Sequence, residues 1–227
     1  MMTGTIVNTM TIAGGSIIGS LLHRGLKEKY SDALFTAMGL AAAGLGINTI
    51  VRYMPKSEYP VLFIVSLAAG LLIGTMLDIN GKFNNLVSRH SGGNLAEGLS
   101  TGILLYCIGA LSILGPIQSA LYGDNTFLFT NATLDLVTSM VLASTYGIGM
   151  IFAAPVLFCW QGSIYMLALW LGDFMSDSMM AEISIVGGFM IASSGLSILK
   201  IKDFKTLNML PALIFPPLWF VIIHFAA

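Results

Sequence analysis

Charged residues are scarce in this chain: 9% of its 227 residues are Asp, Glu, Lys or Arg, where soluble domains carry about 25%. So small a supply cannot cover a globule with polar surface. Cysteine is nearly absent. Cys107 and Cys159 are the 2 present, both inside long apolar stretches, where a thiol behaves as a small buried hydrophobe rather than a disulfide partner or metal ligand. Histidine is as sparse, with 3 residues. His23 and His90 fall between apolar stretches and His224 at the far end of the last one, so no membrane-embedded base is at hand for a nucleophile. There is no His-Glu-x-x-His pair, no phosphate-cradling glycine loop with a following lysine and no Gly-x-Ser-x-Gly elbow. The expectation is a protein that is not an enzyme and uses no cofactor or metal. The 10 basic and 11 acidic residues nearly cancel, to a net charge of −1. Without a clustered basic excess, nucleic acid is excluded as a partner.

What the chain has in abundance is hydrocarbon, with 56% apolar residues and a mean hydropathy of +0.86. Its partner is the lipid bilayer. A helix needs roughly 17 to 25 apolar residues to cross the hydrocarbon core. Six segments satisfy that ruler readily: Thr5 to Leu22, Ala33 to Tyr53, Pro60 to Leu77, Ser100 to Leu121, Ile183 to Leu199 and Leu207 to Phe225. Between the fourth and fifth of these, Thr126 to Gly172 is too long for one span. Gly147, Gly149 and Pro155 supply a break there, giving Thr126 to Tyr146 and Met150 to Leu171. The predicted fold is all-α, a polytopic integral membrane protein of about eight transmembrane helices. The N-terminus, with no basic flank before its apolar stretch, is expected to stay as an uncleaved span.

Placement of positive charge sets the orientation, because short cytoplasmic loops retain Lys and Arg. With both termini outside, Arg24, Lys27, Lys29, Lys82, Arg89, Lys200, Lys202 and Lys205 are cytoplasmic, and only Arg52 and Lys56 lie outside. A single crossing in Thr126 to Gly172 would divide the basic residues five against five. A multi-pass protein of the bacterial cytoplasmic (inner) membrane is therefore expected, with Asp173 to Glu182 as an outer loop.

One run repeats. Ala41-Ala42-Ala43-Gly44-Leu45-Gly46-Ile47 returns as Ala192-Ser193-Ser194-Gly195-Leu196-Ser197-Ile198, an offset of 151 residues that Pro60 and Pro211 share. Gly15-Ser16-Ile17 and Gly162-Ser163-Ile164 extend the pairing. Within one membrane domain this predicts a repeat unit over 4–79, connecting spans over 98–146 and a second unit over 150–227. The intervening crossings are odd in number, so the units are inverted, the way many transporters build a midplane site.

Asp135 is the only carboxylate inside a predicted span. Such a group faces a cavity or a partner and often marks an ion or proton path. Protonation, a bound cation, or hydrogen bonds from neighbours such as Ser139 would each satisfy it; an acid near a helix start, favoured by the dipole, is the plainer explanation. Asn8, Thr11, Asn48, Thr49, Asn131, Ser144 and Thr145 also lie in spans, as do Gln118, Gln161, Ser194 and Asn208. Hydrogen bonds between membrane helices account for many such residues. Breaks are expected in the first span at Gly14-Gly15 and Gly19, in the fourth at Gly115-Pro116 and in the sixth at Gly147 to Pro155. Gly15-x-x-x-Gly19 and Gly70-x-x-x-Gly74 equally suit close helix packing, the preferred role for both.

Tyr106-Cys107-Ile108-Gly109-Ala110, Leu114-Gly115-Pro116-Ile117-Gln118, Leu134-Asp135, Ala143-Ser144-Thr145 and Gly147-Ile148-Gly149 together resemble the YqgA-like bacterial membrane proteins, the family of domain of unknown function 554. Met180-Ala181-Glu182, Val186-Gly187-Gly188 and Asn208-Met209-Leu210-Pro211-Ala212-Leu213 carry the likeness through the last third. The resemblance implies a polytopic inner-membrane protein for which transport is commonly supposed. It also implies, in many members, a lysine four residues before the aspartate; this chain has Asn131 there, which removes a buried Lys–Asp pair. The functional expectation is a small transporter or channel for a small polar solute, cation or proton. Its site would be lined by Asn8, Asn48, Gln118, Asp135, Gln161 and Ser194, with Asp135 carrying the proton or cation. The alternatives are a non-transporting scaffold or sensor, and a homo-oligomer with its pore between protomers.

Overall fold

In a chain with so few polar side chains, the backbone must satisfy its own N–H and C=O groups, and helices do this within one segment. All regular structure among the described residues is accordingly helical. The structure, a computed structural model, describes residues 2–22, 28–82, 85, 99, 102–103, 105–107, 109–172 and 176–226. Arg24, Lys27, Arg89, His23, His90 and Asp173 lie outside the described residues. The α-helices are α1 (Thr3–Leu21), α2 (Glu28–Tyr53), α3 (Leu62–Met76), α4 (Ala110–Tyr122), α5 (Thr126–Tyr146), α6 (Ala153–Trp170), α7 (Asp177–Ile198) and α8 (Phe215–Ala226). Among the described residues, 5 stretches are long and apolar enough to cross a membrane: Asp32–Lys56, Thr126–Tyr146, Ile148–Trp170, Asp177–Ile198 and Thr206–Ile223. α3 and α4 are apolar but shorter. α1 has the length, but Thr, Asn, Ser and Gly dilute its hydropathy.

Breaks fall partly where expected. Gly147 has φ 86°, a left-handed conformation suited to glycine, and starts a 3-10 turn over Ile148–Phe152 that separates α5 from α6. The other two expected breaks are corrected. α1 is continuous, and its glycines serve contact with α5 instead. α4 runs unbroken past Pro116; its interruption lies at extended Gly109, and Gly115 is the point where Leu128 of α5 approaches. A further interruption was not anticipated. The last apolar stretch is a 3-10 helix over Thr206–Ile214 followed by α8, because Pro211, Pro216 and Pro217 each withhold an amide donor. The outer loop expected over Asp173 to Glu182 is also shorter than read: α7 begins at Asp177, where Ser176 caps the Met179 N–H.

The chain forms two compact units, Met1–Met38 with Asn84–Gly172, and Gly39–Phe83 with Asp173–Ala227. In the first, α1 and α5 run parallel in backbone contact, Gly4 against Leu128, Gly15 against Ser139 and Gly19 against Met140. α4 and α5 are antiparallel, joined through left-handed Gly123, while α4 and α6 are parallel, with Ser112 beside Gln161 and Leu121 beside Gly172. In the second, α2 and α7 are antiparallel: Gly46 meets Ala192 and Gly188, and Gly195 meets Ala43 and Gly39. The two copies of the repeated run thus pack against each other. Gly70 and Gly74 of α3 receive Ala212 and Asn208 of the 3-10 segment, again antiparallel.

Small-residue contact of this kind leaves no room for a side chain. Gly46→Val is expected to lower stability by about 1–3 kcal/mol, whereas Gly44→Val, on an exposed position with nothing near it, shifts it by less than about 0.5 kcal/mol. Denaturation in detergent measures both; equal losses would contradict the packing.

Candidate functional site

Polar groups inside a membrane protein must find partners within it, so the buried ones locate the site. The buried face of α1 consists of Gly4, Thr5, Asn8, Ile12, Gly15, Ser16 and Gly19, while Ile6, Met10, Ile17, Ile18 and Leu21 are exposed. This helix is inside out: apolar outward, small and polar inward. Across it, α5 presents Asn131, Asp135 and Ser139 at successive turns, all buried, with Asp135 only 5% exposed.

Asp135 Oδ2 accepts a hydrogen bond from Asn131 Nδ2 at 2.9 Å. Asn131 thus fills with an amide donor the position where the family resemblance implied a lysine. Asn8 Nδ2 lies against the same carboxylate without reaching well-formed hydrogen-bond geometry, and its Oδ1 accepts from Thr11 Oγ1 at 3.4 Å. The expected role of Ser139 is corrected: its hydroxyl donates to the backbone carbonyls of Asp135 and Leu136, at 2.6 and 3.0 Å, rather than to the carboxylate. Tyr106, in one buried cluster with Ile12, stands beside Ser139 in the field of Asp135 with its hydroxyl unpartnered, and among the described residues Cys107 is the other titratable neighbour. The group is rich in donors. Among the described residues no cluster of His, Cys, Asp and Glu could hold a metal ion.

The remaining expected site residues have different surroundings. Gln161 is fully buried in the first unit, its Nε2 donating to Ser112 Oγ at 3.1 Å and its Oε1 unpartnered. Gln118 is buried in the same unit. Asn48 and Ser194 belong to the second unit; Asn48 is exposed, and Ser194 Oγ donates to the Met190 carbonyl of its own helix at 3.0 Å. Asn8 and Asp135, of the six, lie against each other.

Sequence reasoning missed a second buried acid. Glu182, assigned to a loop, sits in the second turn of α7 with no exposed surface. Its Oε1 accepts from Ser57 Oγ at 2.6 Å and from the Tyr59 N–H at 3.0 Å, while Oε2 is unpartnered. It ties α7 to the turn preceding α3. The Ser176-Asp177 capping pair was the signal that the helix starts early enough to include it. Asn208, fully within the same unit, accepts the Asn80 N–H at 2.8 Å and fastens the other end of α3.

Apolar helices whose polar residues face inward define a helical membrane protein. The chain belongs to the family described as "Protein of unknown function (DUF554)", whose profile matches residues 3–221. It is 56% identical over 223 residues to the "Uncharacterized membrane protein YdfK" of Bacillus subtilis (strain 168), covering 98% of this chain and 97% of the relative. It is 29% identical over 225 residues to the "Uncharacterized protein YqgA" of Escherichia coli (strain K12), covering 94% of each. The resemblance read from the sequence therefore holds. No solved structure matches.

The Glu182 anchor gives a test. Glu182→Ala leaves the Ser57 hydroxyl and Tyr59 N–H without their acceptor and is expected to cost about 1–3 kcal/mol. Glu182→Gln, which retains an oxygen for them, costs less. Equal losses in chemical denaturation would contradict the anchoring role.

Proposed function

We propose that this protein is a small transporter or channel that moves a small polar solute or ion across the bacterial inner membrane, with its site built around Asp135. The observation that carries the reading is a buried carboxylate in an apolar helical protein, held by amides and faced by polar atoms that have no partner. Acids kept in such places at the cost of desolvation mark ion and proton paths.

The reading has eight crossings, with the termini outside and two inverted three-helix units. Helix directions support it. In an eight-pass chain the first and fifth spans are parallel, as are the fourth and sixth, while the second opposes the seventh and the third opposes the eighth. α1 with α5, α4 with α6, α2 with α7, and α3 with the 3-10 segment run in those senses. The antiparallel contact between the two copies of the repeated run has the sense that an inverted repeat requires. The excess of basic residues on one side agrees with this orientation.

A non-transporting scaffold draws its support from the backbone contact of α1 with α5 at Gly15 and Gly19, which is also what pure packing produces. Uptake by proteoliposomes separates the two readings. Purified protein is expected to accumulate a solute from a panel of small amino acids, carboxylates and monovalent cations, and Asp135→Asn is expected to lose at least about tenfold in rate, a barrier change near 1.4 kcal/mol. Uptake by Asp135→Asn equal to that of the parent would remove the role assigned to the acid.

A further inference from the structure

Unpartnered buried polar atoms are concentrated along one line. Among the described residues they are Thr5 Oγ1, Asn8 Nδ2, Ser16 Oγ, Tyr106 Oη, Gln161 Oε1 and Glu182 Oε2. All but the last belong to the first unit. Thr5, Asn8 and Ser16 share the buried face of α1 and have no exposed surface. At 1.5 Å per residue, the distance from Thr5 to Ser16 is about 16 Å, roughly half of a 30 Å hydrocarbon core. Asp135 lies beside this line at Asn8, and Tyr106, in the same buried cluster as Ile12, lies by Ser139, which meets Gly15.

Polar atoms enclosed in protein bind water where two or more of them converge, and leaving them unpaired carries a desolvation penalty. A cargo larger than water does not fit this seam, because Gly4, Gly15 and Gly19 hold α1 against the backbone and side chains of α5. The surrounding chemistry points the same way. The carboxylate accepts from the Asn131 amide, and among the described residues no further His, Cys, Asp or Glu ligands join it in a cluster that could hold a metal ion.

We propose that the α1–α5 seam holds a file of water molecules running from Thr5 past Asn8, Asp135 and Tyr106 to Ser16, and that this file conducts protons. It rests on the transport reading and narrows the ion to the proton. Each transfer balances without a further reactant. A hydronium on one side gives its proton to an Asp135 carboxylate oxygen, forming an O–H bond; that bond then breaks to water on the other side and restores the carboxylate. Among the described residues the titratable groups facing the acid are Tyr106 and Cys107, and Tyr106 can pass a hydrogen bond along the line.

The test uses full-length protein in liposomes with an entrapped pH-sensitive dye and a valinomycin–potassium diffusion potential. Wild type is expected to admit protons faster than protein-free vesicles. Thr5→Val/Ser16→Ala, which removes two oxygens from the file and leaves the acid in place, is expected to slow this at least about tenfold. Parental rates in that variant would overturn the proposal. Solute uptake in the same vesicles separates the failures: uptake without proton movement removes the water file and leaves the transporter, whereas neither process removes both. X-ray radiolytic labelling of wild type is independent of variant folding. Ile12 and Tyr106, 0% and 1% exposed, are expected to be oxidised by radicals from adjacent water; labelling confined to surface residues would overturn the proposal.

Discussion

Lipid offers no hydrogen bonds, and the rest of this structure follows from that constraint. Helices satisfy the backbone. Side chains with polar atoms then turn toward other helices, and apolar ones face outward, the reverse of a soluble protein. α1 shows the inversion most clearly, with Thr5, Asn8 and Ser16 buried while Ile6, Met10 and Leu21 are exposed. In water such a helix would turn the other way.

Because lipid tails are as apolar as leucine, burying hydrocarbon does not drive these helices together; close packing does. That explains where the glycines lie. Gly15 and Gly19 face α5, Gly46 and Gly195 lie in the α2–α7 contact, and Gly70 and Gly74 meet the 3-10 segment. Each brings backbones near enough for dispersion forces to act over a long seam. In the proposed water file, the same closeness is what confines the α1–α5 seam to water.

The all-helical membrane class was legible because length and hydropathy answer directly to bilayer thickness. The turn at Gly147 was legible because a left-handed residue between two apolar runs leaves a compositional mark. Glu182 was not. A charge beside an apolar run reads as loop, and only three-dimensional structure shows Ser57 and the Tyr59 N–H converging on it. Proline misled in both directions: α4 absorbs Pro116 inside a helix, whereas Pro211 sits in a nine-residue 3-10 helix. Whether a proline breaks a helix depends on which neighbours accept the freed carbonyl, and sequence does not list them. Of the candidate site, Asn8 and Asp135 were legible only as polar residues within spans and their proximity was not, whereas Ser194 bonds its own helix, a use that composition cannot distinguish from cargo binding.

The chemistry of the first unit centres on a carboxylate that receives one full hydrogen bond, from Asn131, and has two further donors close by. Access of water to that carboxylate is the central claim. Water-edited solid-state NMR of the isotope-labelled protein in lipid bilayers measures that access directly. Rapid transfer of magnetisation from water to the Asp135 carboxyl carbon and the Asn8 side chain is predicted; transfer to surface groups alone, with both of these silent, would contradict the account.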